Sequence, residues 1–110
     1  MICFFATNLI WSQENIEAKI ITKTVDNFID IKGLAINIDD TYKDEYSYLL
    51  FALKKGANNN YSRNNQSGEF SLSPGEQKEL SKMSINIQKG EECKIYLFIR
   101  KNKVLISKDS

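Results

Sequence analysis

The segment that decides the fold class is CKIYLFIRKNKVLIS, at residues 93–107 of the 110-residue chain. Apolar side chains occupy every second position in its first half. Because successive side chains of a β-strand point to opposite faces, a period of two is typical of a strand. Lys101 and Asn102 have the spacing of a two-residue hairpin between a strand at 93–100 and a last strand at 103–107. The series predicted to face the core is Cys93, Ile95, Leu97 and Ile99, and the series predicted to face outward is Lys94, Tyr96, Phe98 and Arg100.

Upstream of this hairpin the same alternation returns at short intervals, and no apolar stripe with helical spacing interrupts it. One strand begins at Ile16. A second strand changes its alternation phase at Gly33, which predicts a β-bulge because bulges favour a residue without Cβ. A third covers residues 46–54, the polar stretch 57–68 is either a long loop or a polar edge strand, and residues 73–76 form a Pro-Gly turn. The pattern predicts an all-β protein, an immunoglobulin-like sandwich of two antiparallel sheets with about seven strands.

Length and composition predict one domain. A chain with 42% hydrophobic and 26% charged side chains can bury one core, and we assign residues 16–108 to a single sandwich. Residues 1–15 open with MICFFATNLIW, too short to span a bilayer, which needs ~20 apolar residues. This segment is either the remnant of a signal peptide or a first strand at the domain edge. Cys3 and Cys93 either form a disulfide, as in an exported protein, or are separate buried thiols.

The residue types argue against catalysis and against bound groups. The chain has no histidine, which excludes Ser-His and Cys-His nucleophiles, and it has no glycine-rich phosphate-binding motif. Asp39-Asp40 and Glu91-Glu92 are adjacent carboxylates, which point to opposite faces when they lie in a strand. The segment DDTYKDE at 39–45 lacks the glycine of a calcium-binding loop. We therefore predict that the protein is not an enzyme and holds neither a cofactor nor a metal ion.

Charge is distributed unevenly along the chain. Residues 1–53 carry a net charge of −4 and residues 54–110 carry +5, although the total is only +1. In an immunoglobulin-like sandwich the third strand lies beside the strand at 93–100, so aromatic side chains of both are expected on one outer surface among cations. The predicted binding surface consists of Tyr46, Tyr48, Lys54, Lys94, Tyr96, Phe98, Arg100 and Lys103.

Such a surface could bind an extended or acidic partner by apolar contact and screened attraction. The same residues are also explained as ordinary cross-strand pairs and as cations that protect a sheet from edge-to-edge association. A total charge of +1 argues against nucleic acid as the partner.

Residues 65–108 contain several short motifs in a characteristic order: Gln-Ser-Gly at 66–68, a turn within 71–75, Leu-Ser at 80–81, a strand ending Ser-Ile-Asn-Ile at 84–87, and two final strands. In the order and spacing of these motifs, this part of the chain resembles the curli assembly family CsgC/CsgH. Weaker similarity extends upstream through YSYLLFALKKG, so the resemblance covers residues 16–108.

This resemblance implies a small immunoglobulin-like periplasmic protein that keeps curli-type amyloid subunits from polymerising before export. Some members carry a Cys-x-Cys where this chain has Asp44 and Tyr46, so no redox activity is expected and the chain is nearer to the CsgH-like members. We accordingly expect a monomer whose partner is a curli-type amyloid subunit, without nucleic acid and without membrane insertion. The alternative is an adhesion or assembly module that docks a partner by β-strand augmentation.

Overall fold

The computed structural model describes residues 15–110, which form two antiparallel sheets. The strands are β1 (Ile16–Val25), β2 (Phe28–Asn37), β3 (Lys43–Lys55), β4 (Tyr61–Leu72), β5 (Gln77–Asn86), β6 (Glu92–Lys101) and β7 (Val104–Asp109). One sheet has the order β1-β2-β5 and the other has the order β4-β3-β6-β7. The prediction of an all-β, two-sheet sandwich is confirmed. The predictions for the N-terminal segment and for Cys3 fall on residues 1–14, outside the described residues.

The core lies between the two sheets and is built from alternate residues of the central strands. Ile31 and Ala35 of β2 meet Leu50 of β3 and Leu97 of β6, and each of the four is at most 1% exposed. The register of β2 against β5 shifts at Gly33, as the change of phase predicts. A Cβ at Gly33 would lie 3.5 Å from Leu97, so the glycine faces the opposite sheet across the core.

The structure defines two segments more closely than the sequence pattern does. The polar stretch 57–68 contains the start of the edge strand β4, so it is not a continuous loop. In the last hairpin Lys101 pairs with Val104, and the two turn residues are Asn102 and Lys103, one position later than predicted. Both have positive φ, 52° and 68°, which is the type I′ geometry that matches the twist of the flanking strands.

Among the described residues, none belongs to a helix that could cross a bilayer.

The connection between β2 and β3 is held by a small polar network around Asp39. Lys43, only 8% exposed, donates from Nζ to Asp39 Oδ2 at 2.9 Å, and Thr41 donates from its backbone N and from Oγ1 to Asp39 Oδ1. Asn37 ties this turn to the next one, because its side-chain amide donates to the Thr41 and Ser73 carbonyls. The hydrogen bond from Lys43, followed by those from Thr41, holds the pKa of Asp39 far below its ordinary range.

We expect Asp39→Asn to flatten the acid dependence of stability. A carboxyl with a lowered pKa in the folded state stabilises the fold above its unfolded pKa of about 4, and this contribution is lost as the pH falls further. The variant should be less stable than the wild type at pH 7, and its free energy of unfolding should fall less between pH 5 and pH 2. Urea unfolding at a series of pH values measures both differences. Parallel pH profiles for the two proteins would contradict the assignment.

The sandwich is closed along one side by contacts between β1 and β7. The backbone N–H of Ala18 donates to Ser107 Oγ at 3.0 Å, and that of Ile20 donates to Asp109 Oδ2 at 2.7 Å. These side chains take the place of a neighbouring strand along β1, so part of its edge is satisfied within the molecule.

Candidate functional site

The register of β3 against β6 determines which side chains share the outer surface of the four-stranded sheet. Phe51 lies opposite Tyr96, and Leu53 lies opposite Lys94. Leu50 and Leu97 form an inner pair in the same register, and both are fully buried. The outer residues of β3 are therefore the odd-numbered ones, whereas the predicted binding surface contains even-numbered residues of this strand.

The predicted placement of three residues on the outer face is therefore corrected. The side chains of Tyr46, Tyr48 and Lys54 lie on the inner side of β3. Tyr46 is 1% exposed and belongs to the core, where its ring centroid lies 5.9 Å from that of Phe70. Tyr48 packs against the core and covers Gly68, where a Cβ would lie 3.1 Å from the tyrosine ring.

Lys54 also points to the inner side, at the open end of the sandwich. Its Nζ donates to the Asn86 carbonyl of the other sheet at 3.0 Å and lies 3.8 Å from Glu91 Oε1. The first contact joins the two sheets, and the second links Lys54 to the connection between β5 and β6.

The four β6 residues of the predicted surface lie on the outer face, as their alternation with buried Leu97 and Ile99 requires. Tyr96 and Phe98 are stacked with centroids 6.1 Å apart, and Phe51 of β3 stacks on Tyr96 at 6.0 Å. Ring pairs at such separations stabilise one another, so the three rings form a continuous aromatic row across two strands.

Cations flank this row. The Arg63 guanidinium of β4 lies 5.8 Å from the Phe51 ring centroid, and that of Arg100 lies 5.7 Å from the Phe98 centroid. Lys94 lies two residues before Tyr96 on the same face and is exposed. We call this surface the aromatic–cation face, and its members are Phe51, Arg63, Lys94, Tyr96, Phe98 and Arg100.

Within residues 15–110, the cations of the aromatic–cation face form no ion pair. The ion pairs within residues 15–110 are Lys32–Glu79, Lys43–Asp39 and Lys54–Glu91, and none of them involves this face. Lys103, the last member of the predicted surface, is exposed in the turn between β6 and β7. A surface of half-buried stacked rings, with cations that form no ion pair within residues 15–110, can contact an extended chain.

Cys93 faces inward opposite Lys54 and is a free thiol. Burial raises its pKa, an effect that the positive charge of Lys54 only partly offsets. Because the thiolate is the reactive form, a raised pKa lowers the fraction of reactive thiolate at Cys93.

Sequence reasoning missed Phe51 and Arg63. The run from Tyr46 to Leu53 is apolar on both faces apart from Ser47, so alternation alone cannot tell which series is buried. The usable signal is on other strands: the inner series faces Gly33 and Leu97, and Leu50 packs there. Arg63 lies in the polar stretch, and its place beside Phe51 depends on the pairing of β3 with β4.

The seven-stranded sandwich with sheet orders β1-β2-β5 and β4-β3-β6-β7 has the fold of CsgC and CsgH. It superposes on the E. coli curli protein CsgC with a TM-score of 0.68 and 17% sequence identity, over 86% of this chain and 95% of that chain. It superposes on R. palustris CsgH with a TM-score of 0.60 and 17% identity, over 84% of this chain and 89% of that chain. No protein-family model matches the sequence, and no curated protein matches it. The likeness to the two solved structures confirms the fold that the resemblance at residues 65–108 implied.

Proposed function

We propose that this protein inhibits the polymerisation of a curli-type amyloid subunit by transient contacts of the aromatic–cation face with the client. The observation that carries the proposal is the aromatic row of Phe51, Tyr96 and Phe98, flanked by cations that have no ion-pair partner in the described part of the chain. The shared fold with a protein described as a curli protein supports the choice of client. A periplasmic location follows from the same proposal, since the client must be met before its export.

The physical basis is that amyloid growth needs strands of low charge to stack with their backbones paired. Aromatic rings make contacts that tolerate many sequences, because the contact depends on the ring face and not on one hydrogen bond. Arg63, Lys94 and Arg100 add attraction to an acidic client, and such attraction speeds encounter more than it strengthens the final complex. An inhibitor that meets nuclei or growing ends needs only this kind of weak, fast contact.

A thioflavin time course of a purified curli-type subunit, with and without this protein, tests the proposal. We expect a longer lag phase at amounts of protein far below one molecule per subunit, because nuclei and fibre ends are rare. A time course that does not change at any ratio up to equivalence would refute the proposal.

The alternative is an assembly module that docks one partner by β-strand augmentation. The edge strand β4 favours it, because its residues 61–67 are exposed. Stoichiometry separates the two functions: a docking module forms a stable complex near one to one, and its effect on fibre formation appears only near equivalence.

A further inference from the structure

The free edge of β4 differs from the other edges of the sandwich. β1 is covered in part by the side chains of Ser107 and Asp109, and β5 carries three charged residues and a register shift. β4 pairs with β3 without interruption from Tyr61 to Phe70, and only one residue between Ser62 and Gly68 is charged. A long exposed edge without bulge, proline or repeated charge is open to a further strand.

One end of this edge is closed by its own molecule. Lys78 of β5 donates from Nζ to the Ser71 carbonyl at 2.7 Å, next to the turn that joins the two strands. Ser81 of β5 also donates from Oγ to Gln66 Oε1 on the inner side of β4, and this contact involves side chains only. The backbone edge that is open to a further strand therefore extends from Tyr61 to Phe70.

The charges of this open part are self-complementary. Arg63 and Glu69 both lie on the outer face, opposite Leu53 and Ser47 of β3, and neither has an ion-pair partner within residues 15–110. They are placed symmetrically about Gln66. In an antiparallel pair of two β4 strands centred on Gln66, each Arg63 faces the Glu69 of the other copy, and Gln66 faces its own counterpart.

Other registers lose this match. Centring the pair on Arg63 or on Glu69 places like charges opposite each other, which is unfavourable. If one β4 strand slips by one residue against the other, each outer residue lies opposite an inner residue of the second copy. The outer surfaces of the two sheets then no longer coincide. The register centred on Gln66 is the one that pairs both charges on one face.

From this pattern we propose that the protein forms a weak two-fold dimer by antiparallel pairing of β4 with β4 of a second copy. The partner is a second copy of this chain, and the pairing does not depend on the proposed function. The two four-stranded sheets become one continuous eight-stranded sheet, since a two-fold interface uses the same surface on both copies. Both aromatic–cation faces then lie on the same side, where a long client could contact them together with increased avidity.

The dimer is expected to be weak. A single pair of edge strands buries little surface compared with the ~1,200 Å² of the smaller stable interfaces. We therefore expect a dissociation constant of about 0.1–1 mM. At concentrations well below this range the protein is a monomer, as expected from the sequence.

Exchanging the charges at positions 63 and 69 tests whether the partner is a second copy and whether the register is centred on Gln66. Dimerisation is measured by sedimentation velocity over a range of concentrations. Arg63→Glu alone and Glu69→Arg alone each create two like-charge contacts, so each should weaken dimerisation by about tenfold. The double variant R63E/E69R restores opposite charges in the same register and should dimerise like the wild type. The Lys94→Glu/Arg100→Glu variant, which changes only the aromatic–cation face, should also dimerise like the wild type.

Three results would overturn the proposal. The first is a wild type that stays monomeric at millimolar concentration, as it would if the edge served only a strand of the client. The second is a dimer that neither single exchange weakens, which would place the interface elsewhere. The third is a double variant that fails to regain dimerisation while circular dichroism shows it folded. The thioflavin assay plays no part in this test, so its outcome and that of the proposed function are independent.

Discussion

The double variant Lys94→Glu/Arg100→Glu is expected to lose most of the inhibition of amyloid growth while keeping its fold. Both side chains are exposed on β6 and take part in no ion pair within the described residues, so their exchange reverses the charge of the aromatic–cation face without disturbing the core. The measurement is the lag time of a curli-type subunit at low ionic strength. The wild-type effect should itself fade with added salt, because the screening length falls from about 10 Å at 0.1 M to about 3 Å at 1 M.

The matched control is Lys19→Glu/Lys23→Glu. These two lysines are exposed on β1 of the other sheet, and their exchange changes the total charge by the same amount. The control should inhibit like the wild type if position matters more than net charge. Equal inhibition by both double variants at low salt would show that the aromatic–cation face is not the working surface.

Tyr46→Ala is expected to cost about 3–5 kcal/mol of stability, the range for truncating a large buried aromatic side chain. Tyr46 is 1% exposed, its ring packs at a tilt against Phe70, and Lys101 Nζ lies 5.0 Å from its ring centroid. Urea unfolding followed by circular dichroism measures the loss. At a temperature where the variant is folded, its inhibition per molecule should equal that of the wild type.

The comparison is Phe51→Ala, on the opposite face of the same strand. Its ring is only partly buried, so the expected loss of stability is about 1 kcal/mol, the size of a cross-strand pair. Inhibition should fall, because the aromatic row is interrupted at Tyr96. If Phe51→Ala were the more destabilising of the two, the assignment of inner and outer faces in β3 would be wrong.

The fold could be predicted from sequence because most strands are apolar on one face only. The alternation at 93–100 identifies the buried series of β6, and the change of phase at Gly33 locates the register shift of β2. These patterns lie within single strands, so they can be interpreted without knowing which strands pair with them. The last hairpin was predicted one residue early because Asn102 and Lys103 adopt positive φ without the Asn-Gly sequence that usually marks such a turn.

Sequence patterns predict the candidate site only on β6, the strand whose two faces differ in polarity. In β6 the outer residues include cations, and their place follows from the alternation. In β3 both faces are apolar, and the choice between Tyr46 and Phe51 is made by packing against Gly33 and Leu97 in strands distant in sequence. Arg63 joins the site through pairing across β3 and β4, which no local pattern contains.

The most direct test of the central claim is the NMR line width of side-chain signals while the protein exchanges with growing curli-type aggregates. We predict that the ring signals of Phe51, Tyr96 and Phe98 broaden first, while the methyl signals of Ile21 and Val25, exposed on the other sheet, stay sharp. Broadening that begins at Ile21 and Val25, or that spreads equally over both sheets, would contradict the assignment of the client to the aromatic–cation face.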